Sequence, residues 1–161
     1  MRRILAFILL VSILSPLQAE EPLDIVRVWS GYREAKSFKR ISEYFSGKEN
    51  TGGQIILRSQ SDDRSGFYFT IRLQTPNTTN LLVSKIRLEI ITPEAPTAKT
   101  FDFVLPPVDK ANALLLLGLT GSDWPKPEDQ PVAWKFSFLN EEDDIVGEEK
   151  SYLWELPSTE S

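Results

Sequence analysis

From residue 54 onward, apolar side chains recur at every second position, in short runs separated by turn residues. No other feature constrains the fold as strongly, because only an extended chain places residues i, i+2 and i+4 on one face. The plainest run is GFYFTIRLQ, with Phe67, Phe69, Ile71 and Leu73 on one side and Tyr68, Thr70 and Arg72 on the other. That is the pattern of a half-buried strand. LLVSKIRLEII repeats it, with Leu82, Ile86, Leu88 and Ile90 opposite Lys85, Arg87 and Glu89. KTFDFVL turns Phe101, Phe103 and Leu105 inward, and PVAWKFSFLN does the same with Val132, Trp134, Phe136 and Phe138.

Three further runs complete the strand set. DIVRVW, residues 24–29, is a first strand ended by Trp29, and QIILRSQ is a second candidate at 54–60. ANALLLLGL is apolar on both faces; its shortness and the closing Gly118 and Gly121 favour a buried central strand over a helix. Pro93 and Pro96 stop the strand before them, and IVGEEKSYLW returns after the acidic turn at 141–144 as the last strand, ended by Trp154. Only residues near 34–45 break the period. There Phe38, Ile41 and Phe45 fall three and four apart, Ser37 is a candidate N-cap and Gly47 a stop. This predicts one short amphipathic helix, which must pack on something because it is too short to stand alone.

Seven or eight strands with turn signals between them predict an all-β protein, an antiparallel β-sandwich with one short N-terminal amphipathic helix. The final hairpin, 132–139 with 145–154, resembles the last two strands of immunoglobulin-like and fibronectin-like domains. The resemblance is architectural and rests on no residue motif. A small up-and-down barrel is the alternative.

The N-terminus reads differently. Arg2 and Arg3 precede an apolar stretch over residues 4–14, followed by Pro16 and a small residue, Ala19. Those are the parts of a secretory signal peptide, and the stretch is far short of the ~20 residues of a spanning helix. The expected division is a signal over residues 1–19 and one domain over 20–161, exported to the periplasm or beyond. The chain has no cysteine to staple that domain, which favours a bacterial envelope protein over a disulfide-built eukaryotic one.

Composition then removes chemistry. Without histidine or cysteine, the usual catalytic triads, zinc sites and dithiol redox centres cannot be built. No phosphate-cradling glycine motif is present, and no cofactor is expected. The net charge of −5 opposes nucleic acid, and on the same ground direct membrane insertion after cleavage is not expected. Asp62, Asp63, Asp102, Asp123 and Glu128 could supply a glycosidase pair by type alone, but nothing in the spacing makes any two converge. Residues 141–144 lack the spaced ligands of a calcium loop and read as a solvated hairpin tip. The neighbours Ser84-Lys85 and Lys150-Ser151 point to opposite faces of a strand, so neither makes a dyad.

Trp124 stands apart, in a proline-rich loop beside Asp123. An exposed indole next to a carboxylate is what a sugar surface uses, the ring on a pyranose face and the acid on its hydroxyls. The alternative, and the commoner arrangement, is a loop Trp folded back onto the end of the sandwich. Two functions follow as expectations. The first is a non-catalytic interaction module of the bacterial envelope, meeting a protein through a sheet edge or a loop. The second is a carbohydrate-binding module using Trp124 and Asp123, with an envelope glycan as partner.

Overall fold

In the computed structural model, which describes residues 23–74, 83–107 and 112–154, two four-stranded sheets lie face to face. The strands are β1 (Asp24–Arg33), β2 (Ile55–Arg58), β3 (Gly66–Gln74), β4 (Lys85–Thr92), β5 (Ala95–Val104), β6 (Asn112–Thr120), β7 (Ala133–Leu139) and β8 (Ile145–Lys150). Sheet I has the order β1-β3-β6-β2 and sheet II the order β5-β4-β7-β8. The chain changes sheet between β3 and β4, between β5 and β6, and again between β6 and β7. The result is an immunoglobulin-like β-sandwich, as the alternating runs predict. The signal-peptide reading and Leu82 lie outside the described residues.

The two inner faces make one core. Phe67, Phe69, Ile71 and Leu73 of β3 meet Ile86, Leu88 and Ile90 of β4 and Phe136 and Phe138 of β7, all essentially without solvent contact. Phe69 sits edge-on to Phe136 at 5.1 Å and 81°, the geometry that the ring quadrupoles favour. Full burial of one such side chain is worth about 1.5–3 kcal/mol, so a dozen of them stabilise a chain that has no cysteine to cross-link. β6 is the buried central strand of sheet I, as its unbroken apolar run requires.

Several expectations change in the structure. β2 pairs with β6 in parallel, Ile55 opposite Leu115, within sheets that are otherwise antiparallel. The reason is topological: β2 and β6 both run opposite to β3, and β6 lies between them. Trp29 does not end the first strand, which continues to Arg33. Pro96 falls inside β5; a proline is tolerated there because β5 is an edge strand and needs no second ladder. The last strand stops at Lys150, and Trp154 sits in a 3₁₀ turn over Tyr152–Trp154.

The largest change concerns the helical segment. A 3₁₀ turn covers Ala35–Phe38 and a helix of barely two turns, α1, covers Ile41–Ser46. Lys39 and Arg40 between them are extended, so the three-and-four stripe is broken after Phe38. Ser37 is no N-cap; its hydroxyl donates to the Glu34 carbonyl at 2.7 Å. Gly47 does end the helix, with φ +65°, and its N–H bonds the Glu43 carbonyl.

Candidate functional site

Trp124 is not a loop-borne stacking ring. It is 5% exposed, and it lies against Phe67 of the core with ring centroids 4.6 Å apart. Its indole nitrogen is buried with no hydrogen-bond partner among the described residues. Asp123 accepts from Gln60 Nε2 at 3.4 Å, and Gln60 also donates to Ser122 at 2.6 Å. The loop is therefore folded onto the end of the sandwich, and no face of the ring is open to a sugar. The burial has a simple cause: β6 delivers the chain at Thr120, and the 3₁₀ turn over Gly121–Asp123 bends it back over the core.

The other acidic residues do not gather either. Asp62, Asp63 and Glu128 are exposed, and Asp102 is held by both arms of Arg87 at 2.8 and 2.9 Å. Among the described residues no cluster of three or more metal-binding side chains occurs. At the hairpin tip Asn140 Oδ1 accepts from the Glu142 and Asp144 N–H groups, and Asp143 pairs with Lys85.

The unusual surface lies on the outer side of sheet I. Phe38 is the only side chain of the helical segment that is buried, and its ring lies against Tyr68 with centroids 4.8 Å apart and planes tilted by 47°. With Leu116, and with Ile56 and Leu114 at their margins, these two rings form a second small apolar cluster outside the sandwich. Tyr68 is consequently buried, although the alternation assigns it to a solvent face, and Thr70 on the same face is buried too, accepting from Arg33 at 3.4 Å. Gly118 makes the cluster possible, because a Cβ at that position would run into the Tyr68 ring.

A polar network locks the segment in place. Arg58 of β2 grips Glu49 with two bonds of 2.7 and 2.9 Å and donates to Tyr68 Oη at 2.9 Å. The same guanidinium lies 5.1 Å from the Phe38 ring centroid. Tyr68 in turn donates to the Arg64 carbonyl at 2.8 Å, and Arg64 bonds Glu43 of α1 at 2.6 Å. The bonds from Arg58 hold the Glu49 carboxyl below its ordinary value. Burial pushes the Tyr68 phenol up, against the opposing pull of Arg58.

Because Glu43 faces inward, α1 presents its opposite side to solvent. Ile41, Tyr44 and Phe45 occupy that side at positions i, i+3 and i+4, and they are 79%, 82% and 87% exposed. The stripe expected over Phe38, Ile41 and Phe45 is therefore split: Phe38 packs on the sheet, while Ile41 and Phe45 join Tyr44 on a face turned away from the domain. Exposed cations flank α1 in the chain, Lys39 and Arg40 before it and Lys48 after it, with Lys36 paired to Glu34 at 2.6 Å. On the same outer face of sheet I, Val26, Arg27, Trp29 and Arg72 line an open depression of about 470 Å³. Arg27 leans over the Trp29 ring at 5.7 Å.

The outer face of sheet II is the opposite case. There charges of opposite sign meet across the strands, Arg87 with Asp102 and Lys135 with Glu89 at 2.5 Å. It is an ordinary solvated face. Neither the stripe's orientation nor the division of charge between the two faces could be read from the sequence. The one signal available was that Arg33, Lys36, Lys39, Arg40 and Lys48 crowd into sixteen residues of an acidic chain.

Strand order and buried-core geometry define the class: an immunoglobulin-like sandwich whose added helical segment carries an apolar, basic surface. No protein-family model matches the chain, and no curated protein matches it. Among solved structures, it is similar to an immunoglobulin-like protein from Pseudomonas aeruginosa, at 15% identity and a TM-score of 0.35, over 82% of this chain and 96% of that one. An overlap that loose carries nothing about function, and the fold stands on the strand pairing itself.

Proposed function

We propose that this chain is a non-catalytic interaction module of the bacterial envelope, and that α1 is the surface with which it engages its partner. One observation carries the reading: three large apolar side chains on one helix face stand in water, while the helix's carboxylate is tucked against Arg64. Single exposed apolar residues are commonplace, but three together on a helix pinned in that orientation mark an interaction surface. Export is supported by the charged flank, the apolar stretch and Ala19 at the N-terminus. A non-catalytic role is supported by the lack of histidine and cysteine. The sugar reading through Trp124 has lost the exposed ring on which it depended.

The test is co-sedimentation of purified residues 20–161 with envelope fragments, comparing the native chain with the triple variant Ile41→Ser, Tyr44→Ser, Phe45→Ser. The expected result is retention of the native chain and its loss in the variant, with thermal unfolding unchanged. A variant that sediments like the native chain would remove α1 from the interaction.

A further inference from the structure

We infer that the partner of the α1 surface is an anionic lipid surface, a conclusion that rests on α1 being the interaction site and names what it meets. The acidic net charge argues against lipid only if the charge is evenly spread, and the structure shows that it is not. In the stretch from Ala35 to Lys48 the exposed ionic groups are Lys36, Lys39, Arg40 and Lys48. Lys36 is paired with the exposed Glu34 just before the stretch, which leaves Lys39, Arg40 and Lys48 as the cations available to a partner. Its one carboxylate, Glu43, is spent on Arg64, and the neighbouring Glu49 on Arg58. Arg27 and Arg72 add to the same outer face of sheet I, beside Trp29. Among the described residues no carboxylate pairs with Lys39, Arg40, Lys48, Arg27 or Arg72.

Apolar side chains at the crest with cations on the rim are the chemistry of a peripheral membrane helix. The former enter the acyl boundary while the latter meet phosphate. α1 is far too short to cross a bilayer, so it would lie in the interface with Ile41, Tyr44 and Phe45 inserted. Two other occupants fit less well. A protein groove that takes a helix reads anchors through i+7, and α1 ends at Gly47 with a charged Lys48 in the i+7 position. A second copy docking face to face would set Lys39, Arg40 and Lys48 against their own equivalents, a like-charge cost that opposes pairing.

Purified residues 20–161 would be floated with vesicles of phosphatidylcholine alone and of phosphatidylcholine containing phosphatidylglycerol. The expected result is binding to the anionic vesicles only, weakened by salt. The Ile41/Tyr44/Phe45 triple serine variant abolishes it, and Lys39→Glu with Lys48→Glu lowers it by about tenfold or more. Lys99→Glu on the edge strand of sheet II is the control and leaves it unchanged. Equal binding to both vesicle types, or an equal loss in the Lys99 variant, overturns the inference. Failure to float with any vesicle, with envelope sedimentation retained and then lost on protease treatment of the envelope, overturns it in favour of a protein partner while α1 stays the interaction site. Self-association of the native chain that the triple variant abolishes puts a second copy in the lipid's place. Loss of both vesicle and envelope binding removes the interaction reading as well.

Discussion

Arg64 reaches across from the loop before β3 to bond Glu43 at 2.6 Å, and this contact turns the carboxylate side of α1 toward the domain. With the carboxylate held against the domain, helical geometry leaves Ile41, Tyr44 and Phe45 on the side that points away. These three side chains make no contribution to the core, so replacing them singly by serine should shift unfolding stability by no more than about 0.5 kcal/mol. Urea titration of Ile41→Ser and Phe45→Ser checks this. A loss of several kcal/mol would show that α1 packs inward.

Arg58 anchors the network that holds the segment down. Its side chain is only 9% exposed and bonds Glu49 and Tyr68 together. Arg58→Ala takes both of its bonds from a largely buried carboxylate and leaves Tyr68 Oη with only its bond to the Arg64 carbonyl, so a loss of about 2–4 kcal/mol is expected. Far-UV dichroism with urea titration gives the value, and limited proteolysis should then cut between β1 and β2 first.

Gly118 and Tyr68 act as one unit. Gly118→Ala forces the Tyr68 ring off the sheet, at an expected cost of about 1–3 kcal/mol. Tyr68→Ala removes the ring that the new methyl would strike. Gly118→Ala should therefore cost markedly less in the Tyr68→Ala background, and a double-mutant cycle measures the coupling. Additive costs would mean that the two residues do not compete for the same space.

Stability should fall in acid, and Glu49 is one reason. Its folded-state carboxyl is held below the ordinary value of 4.5 by Arg58, so near that pH the unfolded chain binds protons more readily than the folded one. The contribution is complete above about pH 4.5 and is lost as pH falls through the folded value. Urea midpoints at pH 7, 5 and 3 should drop over the last interval. Glu49→Gln should show a shallower drop.

Trp124 belongs to stability. Trp124→Ala should cost about 3–5 kcal/mol through the cavity left on Phe67. Trp124→Phe, which also removes an unpartnered buried N–H, should cost much less. Thermal unfolding of the two variants distinguishes this from a ligand-binding role, which would leave both as stable as the native chain.

Most of the sandwich was legible in the residues, because alternation is a local property. In β3, β4 and β7 each inward side chain is marked by its own neighbours, and the structure places Phe67, Ile86 and Phe136 where that marking puts them. β6 was legible for a related reason: a strand flanked on both faces has to be apolar on both. The parallel pairing of β2 was not legible, since a four-residue strand carries no sign of its partner.

The site shows the same division. From the sequence alone came the strand set, a short helical element near residue 41 and its stop at Gly47. Each of these is fixed by residues adjacent in the chain. Only the tertiary structure decided that Trp124 is core and that Tyr68 is buried beneath Phe38. It alone showed that the stripe on α1 looks outward from a basic face. Those outcomes depend on contacts made between residues far apart in sequence, Trp124 with Phe67 and Glu43 with Arg64. Periodicity shows that a helix has two faces, but which one is covered is settled by the long-range contacts that are most favourable in the folded chain, here Glu43 with Arg64.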